Sequence, residues 1–190
     1  MNPIFDAACE VCAFMKSRRW KYCVIGGLAV QRWGAPRLTQ DADLSLLTGF
    51  GKEASYIDAL LRRFAPRCKD AFGFAMANRV LLLYVGHNIP VDITLATLPY
   101  EAEIIENATL FAFDSEVRLP TCSADDLFIM KIFAARDKDW LDAEGIVVRQ
   151  GARLRRRYIL SRLKDLCEAT ERPETLTAAS RMLGGKPWKK

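Results

Sequence analysis

Histidine is nearly absent from this chain: His87 is the only one, and it falls in a turn-like Gly86-His87-Asn88 stretch. A structural zinc site needs four soft ligands, commonly two Cys pairs or a Cys pair with two His. Here Cys9 and Cys12 form the one Cys-x-x-Cys spacing, and the other cysteines, 23, 68, 122 and 167, are scattered through apolar segments. That pattern fits small buried thiols in a reducing compartment, with Cys9 and Cys12 on one face of a first helix. No apolar run reaches the roughly 20 residues that span a bilayer, and "MNPIFDAACEVCAF" has no basic region ahead of an apolar one. A soluble, cytoplasmic protein without membrane contact is expected. Internal repeats, low-complexity tracts and long linkers are missing too. What is present is 190 residues with 51% hydrophobic character, enough to bury about two-thirds of the unfolded surface in one core.

The net charge of +5 is unevenly spread. "RQGARLRRRYILSRLK", residues 149–164, carries Arg149, Arg153, Arg155, Arg156, Arg157, Arg162 and Lys164 without one acid. Such a run could meet a polyanion. Leu154, Tyr158 or Ile159, and Leu163 recur at helical spacing, however, and the preferred reading is a core-facing helix with a basic, solvated back.

Along the chain, residues 4–18 read as an amphipathic helix, and "YCVIGG" as a short buried strand ended by glycines. A helix over 28–34 follows, then "DADLSLL" alternates polar and apolar as a strand does. Residues 52–64 return to helical spacing with Ile57, Leu60, Leu61 and Phe64 on one side, until Pro66 ends them. "RVLLLYV" and "IPVDITLA", joined by Gly86, His87 and Asn88, form a hairpin, and Pro90 must sit at a strand entry or edge. "PYEAEIIENA" suggests a short helix, "LFAFDSEVRLP" a two-stranded ribbon, and "SADDLFIMKIFAA" a helix opened by Ser123 with Asp126 three residues on. From 138 onward the pattern is helical, with breaks near Gly151, Pro173 and the closing "GGKPWKK". The expected fold class is α+β: a mixed β-sheet flanked by helices over residues 1–120 and a helical C-terminal subdomain over 121–190, packed as a single compact unit.

Chemistry concentrates in "GGLAVQRWGAPRLTQDADLSLL", residues 26–47. Residues two apart on a strand share a face, so Asp41 and Asp43 project together while Ala42 and Leu44 turn into the core. Two carboxylates on one face repel, and a hard divalent ion such as Mg²⁺ relieves that repulsion. In "IPVDITLA", Val91 and Ile93 face one way and Asp92 the other, an acid that demands a partner. If its strand lies beside the first, three carboxylates converge and can hold two metal ions roughly 3.5–4 Å apart. Gly26 and Gly27, between a strand and a helix, let backbone N–H groups approach a phosphate. Taken singly, the glycines could be an ordinary tight turn, and the acids a solvated edge or partners of Arg37. Together the order suits phosphoryl transfer, in which metal and phosphate share one cleft.

These residues resemble the DNA polymerase beta-like nucleotidyltransferase superfamily, marked by a glycine pair, a helix and then Asp-x-Asp. The similarity is greatest to the AbiEii-like toxins of toxin–antitoxin systems, whose glycine opening leads to an Arg-x-Thr-x-Asp-x-Asp run. Gly26, Gly27, Ala29, Arg37, Thr39, Asp41, Asp43 and Leu44 match, and Asp92 corresponds to the third metal-binding acid. "SADDLFIMKIFAARDKDWLDAEGI" is similar to the helix bearing a lysine followed by Arg-x-x-Asp-x-x-Asp. The resemblance covers roughly residues 20–145. It implies the nucleotidyltransferase fold, assigns Lys131 to the triphosphate, gives Asp139 and Asp142 a supporting polar site, and places Arg37 and Thr39 with the nucleotide-binding residues. Read from the residues alone, Lys131 could snorkel to solvent and Asp139 and Asp142 could begin an exposed helix. Two features depart from the pattern: Ala42 stands where a branched residue is usual, and the chain is shorter than many of the toxins.

The expected activity is therefore a Mg²⁺-dependent transfer of a nucleoside monophosphate from an NTP to an acceptor hydroxyl, releasing pyrophosphate. Asp41, Asp43 and Asp92 are the catalytic and metal-holding residues; Gly26, Gly27 and Lys131 grip the triphosphate. The acceptor could be a tRNA or other RNA end, a protein or a small molecule such as an antibiotic, and a cognate antitoxin is a possible partner. The alternatives are a nucleotide-binding or regulatory module of the same fold without turnover, and a basic nucleic-acid binder that uses residues 149–164.

Overall fold

The computed structural model describes residues 2–185; the last five residues of the "GGKPWKK" break lie outside them. Two compact units emerge, one running to Leu28 and from Leu38 to Cys122, the other of Ala29–Arg37 with the chain from Ser123 onward.

The first unit opens with α1 (Pro3–Ser17), where the Asn2 side chain accepts from the Ile4 N–H and Pro3 occupies the first turn, where a missing N–H costs nothing. Its inward face is Ala7, Ala8, Val11, Cys12 and Met15. Cys12 is thus a core residue, and all six cysteines are free. β1 (Tyr22–Val24), α2 (Gly26–Trp33), β2 (Ala42–Leu47), α3 (Glu53–Leu61), β3 (Ala65–Pro66), α4 (Ala71–Asn78), β4 (Val80–Val85), β5 (Ile89–Ala96), α5 (Pro99–Glu106), β6 (Thr109–Ala112) and β7 (Arg118–Thr121) follow. The strands form one mixed sheet ordered β3-β4-β5-β2-β1-β7-β6, in which β2 runs parallel to β5 and β1 parallel to β7. The expected hairpin is β4–β5, and Pro90 sits near the β5 entry, one residue before the register with β2 begins at Ala42 and Val91.

Strand alternation decides where the core and the chemistry go. Ala42, Leu44 and Leu46 on β2, and Val91, Ile93 and Leu95 on β5, are fully buried, joined by Leu81 and Leu83 of β4 and by Ile57 and Leu60 of α3. Each Leu or Ile removed from water contributes on the order of 1.5–3 kcal/mol. Asp43 and Asp92 fall at the intervening positions and remain only half-buried.

Two features go beyond the sequence reading. α4 is capped by Asp70, which accepts from the Gly73 N–H at 2.9 Å, and ends at Arg79 in the left-handed region. The ribbon β6–β7 does not stand alone, since β7 joins β1 at Val24 and Thr121 and extends the sheet.

In the second unit, α6 (Ala124–Ala134), α7 (Asp137–Gln150), a 3₁₀ turn (Gly151–Arg153), α8 (Arg156–Thr170) and α9 (Pro173–Leu183) gather with the C-terminal part of α2. Ser123 caps α6, its hydroxyl accepting from the Asp126 N–H at 3.1 Å. Arg149 and Gln150 of α7 donate to the Gly34 and Trp33 carbonyls at 2.9 and 2.7 Å, holding the end of α2. On α8, Ile159, Leu163 and Cys167 face inward while Arg156 and Arg157 are exposed, the basic solvated back expected of that stretch.

Candidate active site

Parallel pairing of β2 with β5 puts Asp43 directly opposite Asp92, and Asp41 lies just before β2 on the same approach. The three acids can each offer a carboxylate oxygen within 4.8 Å of the others. Oxygens around one Mg²⁺, each about 2.1 Å from the ion, lie roughly 3–4 Å apart, so this donor set suits a hard divalent cation. Among the described residues no other group of three His, Cys, Asp or Glu side chains meets that condition.

The glycine turn closes against the same carboxylates. The Ile25 N–H donates to the Asp43 carbonyl at 2.9 Å, and the Gly27 N–H points at Asp43 Oδ2 at 3.4 Å. Gly26 has φ +59°, and a Cβ built on it would run into the Asp43 carboxylate. A Cβ on Gly27 would come 2.5 Å from Thr39 Oγ1. Only glycine permits both approaches. α2 begins at Gly26, so the pair forms its first turn, where N–H groups outside the helical ladder and the helix dipole favour an anion, the Asp43 carboxylate being one such anion at Gly27. Thr39 donates to Asp41 Oδ1 at 2.9 Å and fixes that carboxylate.

Burial, the largest influence on Asp92, pushes its carboxyl above the ordinary value; Arg67 pulls against this and the Asp41 charge adds to it. Arg67 Nη1 sits 2.7 Å from Asp92 Oδ1.

The second unit holds a separate polar cluster. Lys131 Nζ lies 2.9 Å from both Asp139 Oδ1 and Asp142 Oδ2. Arg37 makes a two-pronged contact with Asp142 at 2.8 and 2.9 Å, and Arg136 pairs with Asp139. Burial would raise both carboxyls, but hydrogen bonds and charge from Lys131, Arg37 and Arg136 outweigh it and hold them below the ordinary value.

A sequence model of the nucleotidyl transferase AbiEii toxins, type IV toxin–antitoxin system, matches residues 21–167. The chain belongs to this family. It is, by that membership, a nucleotidyltransferase of toxin–antitoxin type. Among curated proteins no sequence matches. In fold, this AbiEii-family chain is similar to the antibiotic-resistance factor ANT(2'')-Ia, at 14% identity and a TM-score of 0.57, over 88% of this chain and 94% of that one. It is also similar to an antigenic nucleotidyltransferase-like protein from Paracoccidioides brasiliensis, at 15% identity and a TM-score of 0.55, over 96% and 93%. A third likeness is to the lincosamide antibiotic adenylyltransferase LnuA with lincomycin bound, at 11% identity and a TM-score of 0.51, over 74% and 94%. All three place the chain in the nucleotidyltransferase fold.

Within the AbiEii-family chain, the structure brings Asp41, Asp43 and Asp92 together with Gly26, Gly27 and Thr39 in the first unit. Arg37, Lys131, Asp139 and Asp142 form the cluster of the second. Lys131 does not reach out to solvent, and Asp139 and Asp142 are buried and ion-paired. Arg67 went unread in the sequence, because nothing distinguishes it from Arg62, Arg63 and Lys69 until strand pairing carries it to Asp92.

Proposed function

We propose that this AbiEii-family chain transfers a nucleoside monophosphate from an NTP to an acceptor hydroxyl with Mg²⁺ present. The observation that carries the reading is the convergence of Asp43 and Asp92, on adjacent parallel strands, with Asp41 just before the first of them, beside a helix opened by glycines. Mg²⁺ held by these acids would neutralise their repulsion and stabilise charge on the phosphates. Asp41 and Asp43, kept in place by Thr39 and the Gly27 N–H, would supply fixed oxygens to it. The first turn of α2 binds triphosphate oxygens. Asp92, as the carboxylate held by Arg67, accepts the acceptor's proton as that oxygen attacks the α-phosphorus. The new O–P bond forms, the bond to the β-phosphate oxygen breaks, and pyrophosphate leaves. In the family pattern Arg37, Thr39, Lys131 and Asp139 also serve the nucleotide. For Lys131 the proposal is narrower, since its charge is already matched by two acids. An effect of Lys131→Met on NTP affinity in folded protein would support a direct role.

The acceptor is proposed to be an RNA end, a protein or a small molecule, the last in view of the antibiotic-linked enzymes of similar fold. A cognate antitoxin and a cytoplasmic setting are proposed from family membership. Incubation with Mg²⁺ and each α-labelled NTP over separated RNA, protein and small-molecule pools tests this. Label should enter one pool and require Mg²⁺. NTP binding without transfer into any pool would instead favour the module without turnover.

A further inference from the structure

The row of residues that crosses the sheet at the carboxylates continues past Asp92. Asp92 pairs with Leu82 on β4. The Leu82 carbonyl accepts the Arg67 N–H at 3.0 Å, one residue beyond Pro66, which pairs with Leu83. Side chains in one register row stand on the same face of a sheet. Arg67 therefore starts on the face that carries Asp92 and Asp43, two strand spacings or roughly 10 Å from Asp92. An extended arginine covers that span and ends with Nη1 2.7 Å from Asp92 Oδ1. The pair is well shielded, with 22% of the Arg67 side chain and 27% of that of Asp92 exposed. No described residue hydrogen-bonds to Asp92 Oδ2. The neighbouring Arg63 turns elsewhere, to Glu10 at 2.6 Å.

We propose that Arg67 is a positioning residue of the transferase site: it holds Asp92 by Oδ1, leaves Oδ2 for a cation or the acceptor proton, and balances one of the three negative charges. This rests on the reading of the three acids as a metal and transfer site. A consequence is coupling, because a site with one charge already offset holds a divalent cation firmly only when nucleotide phosphates add their own charge. Removing the guanidinium strengthens the attraction for a cation alone and frees Asp92 from its orientation.

The test is titration of the full chain with Mn²⁺, following free Mn²⁺ by electron paramagnetic resonance, with and without a non-hydrolysable α,β-methylene ATP analogue. Wild type should bind Mn²⁺ weakly alone and more tightly with the analogue. Arg67→Met should bind Mn²⁺ alone on the order of three- to tenfold more tightly, while its transfer rate falls; Arg67→Lys should keep the wild-type Mn²⁺ affinity. Far-UV circular dichroism confirms folding, and Arg67→Gln serves by the same criterion if the Met variant does not fold. Mn²⁺ affinity of the neutral variant equal to or below wild type, or tightening in Arg67→Lys as well, overturns the role of Arg67. Absence of nucleotide-dependent Mn²⁺ binding in wild type overturns the reading of the site itself.

Discussion

At the scale of single residues, three aspartates, two glycines and one threonine shape the site. At Gly26 the positive φ and the nearness of Asp43 act in the same direction. Gly26→Ala should cost about 1–2 kcal/mol through the left-handed backbone and lower kcat/KM on the order of 100-fold by displacing Asp43; thermal melting and steady-state rates read the two separately. Asp92 presents the opposite balance. Its carboxyl is raised, first by burial, so the ionised form is disfavoured in the fold. Stability linked to a raised group is present below its unfolded value, about 3.9, and is lost as pH rises through the folded value. At neutral pH without divalent metal, Asp92→Asn should therefore raise the melting temperature while abolishing transfer; a lower melting temperature would show that Asp92 stabilises the fold in its ionised form. These residues were legible in the sequence because their spacing obeys strand and turn rules. Arg67 was not, because its meaning depends on Leu82 standing between it and Asp92 on the sheet.

At the scale of elements, local signals predicted well wherever one side chain settles an end. Ser123 opens α6, and Gly86 to Asn88 turns β4 into β5; the helix expected over 52–64 stops instead at Leu61, and Pro66, expected to end it, lies in β3. α4 escaped because "AFGFAMAN" has no apolar period and a glycine near its start, and the joining of β7 to β1 escaped because it links strands far apart in the chain. The α6–α7 pair illustrates the same limit, since the pattern of "KIFAARDKDWLD" could not say that Lys131 would be enclosed by two acids. Ser123→Ala should destabilise by about 1 kcal/mol through the lost cap. Lys131→Met leaves Asp139 and Asp142 buried with one cation fewer and should cost about 3–5 kcal/mol, measured by denaturant unfolding. Both acids titrate below the ordinary value, so their contribution is fully present above the unfolded value of about 3.9 and is lost as pH falls through the lowered one. Unfolding of the second unit, followed by Trp140 fluorescence, should begin below about pH 4 and move to higher pH in Arg37→Met.

At the scale of the whole molecule, the family match spans residues 21–167, drawing on both units. No helix among the described residues is long and apolar enough to cross a membrane. The basic back of α8 is solvated, as its apolar stripe implied, and the sheet is mixed with the acids at its parallel β2–β5 seam. The central claim is that this seam performs nucleotidyl transfer. Its most direct test compares α-³²P- and γ-³²P-labelled NTP with Mg²⁺ in wild type and Asp43→Asn, in the acceptor pool that takes up label. The account predicts α-label in the acceptor and γ-label in pyrophosphate with wild type, and neither with Asp43→Asn. γ-label in the acceptor, or undiminished transfer by Asp43→Asn, would contradict it.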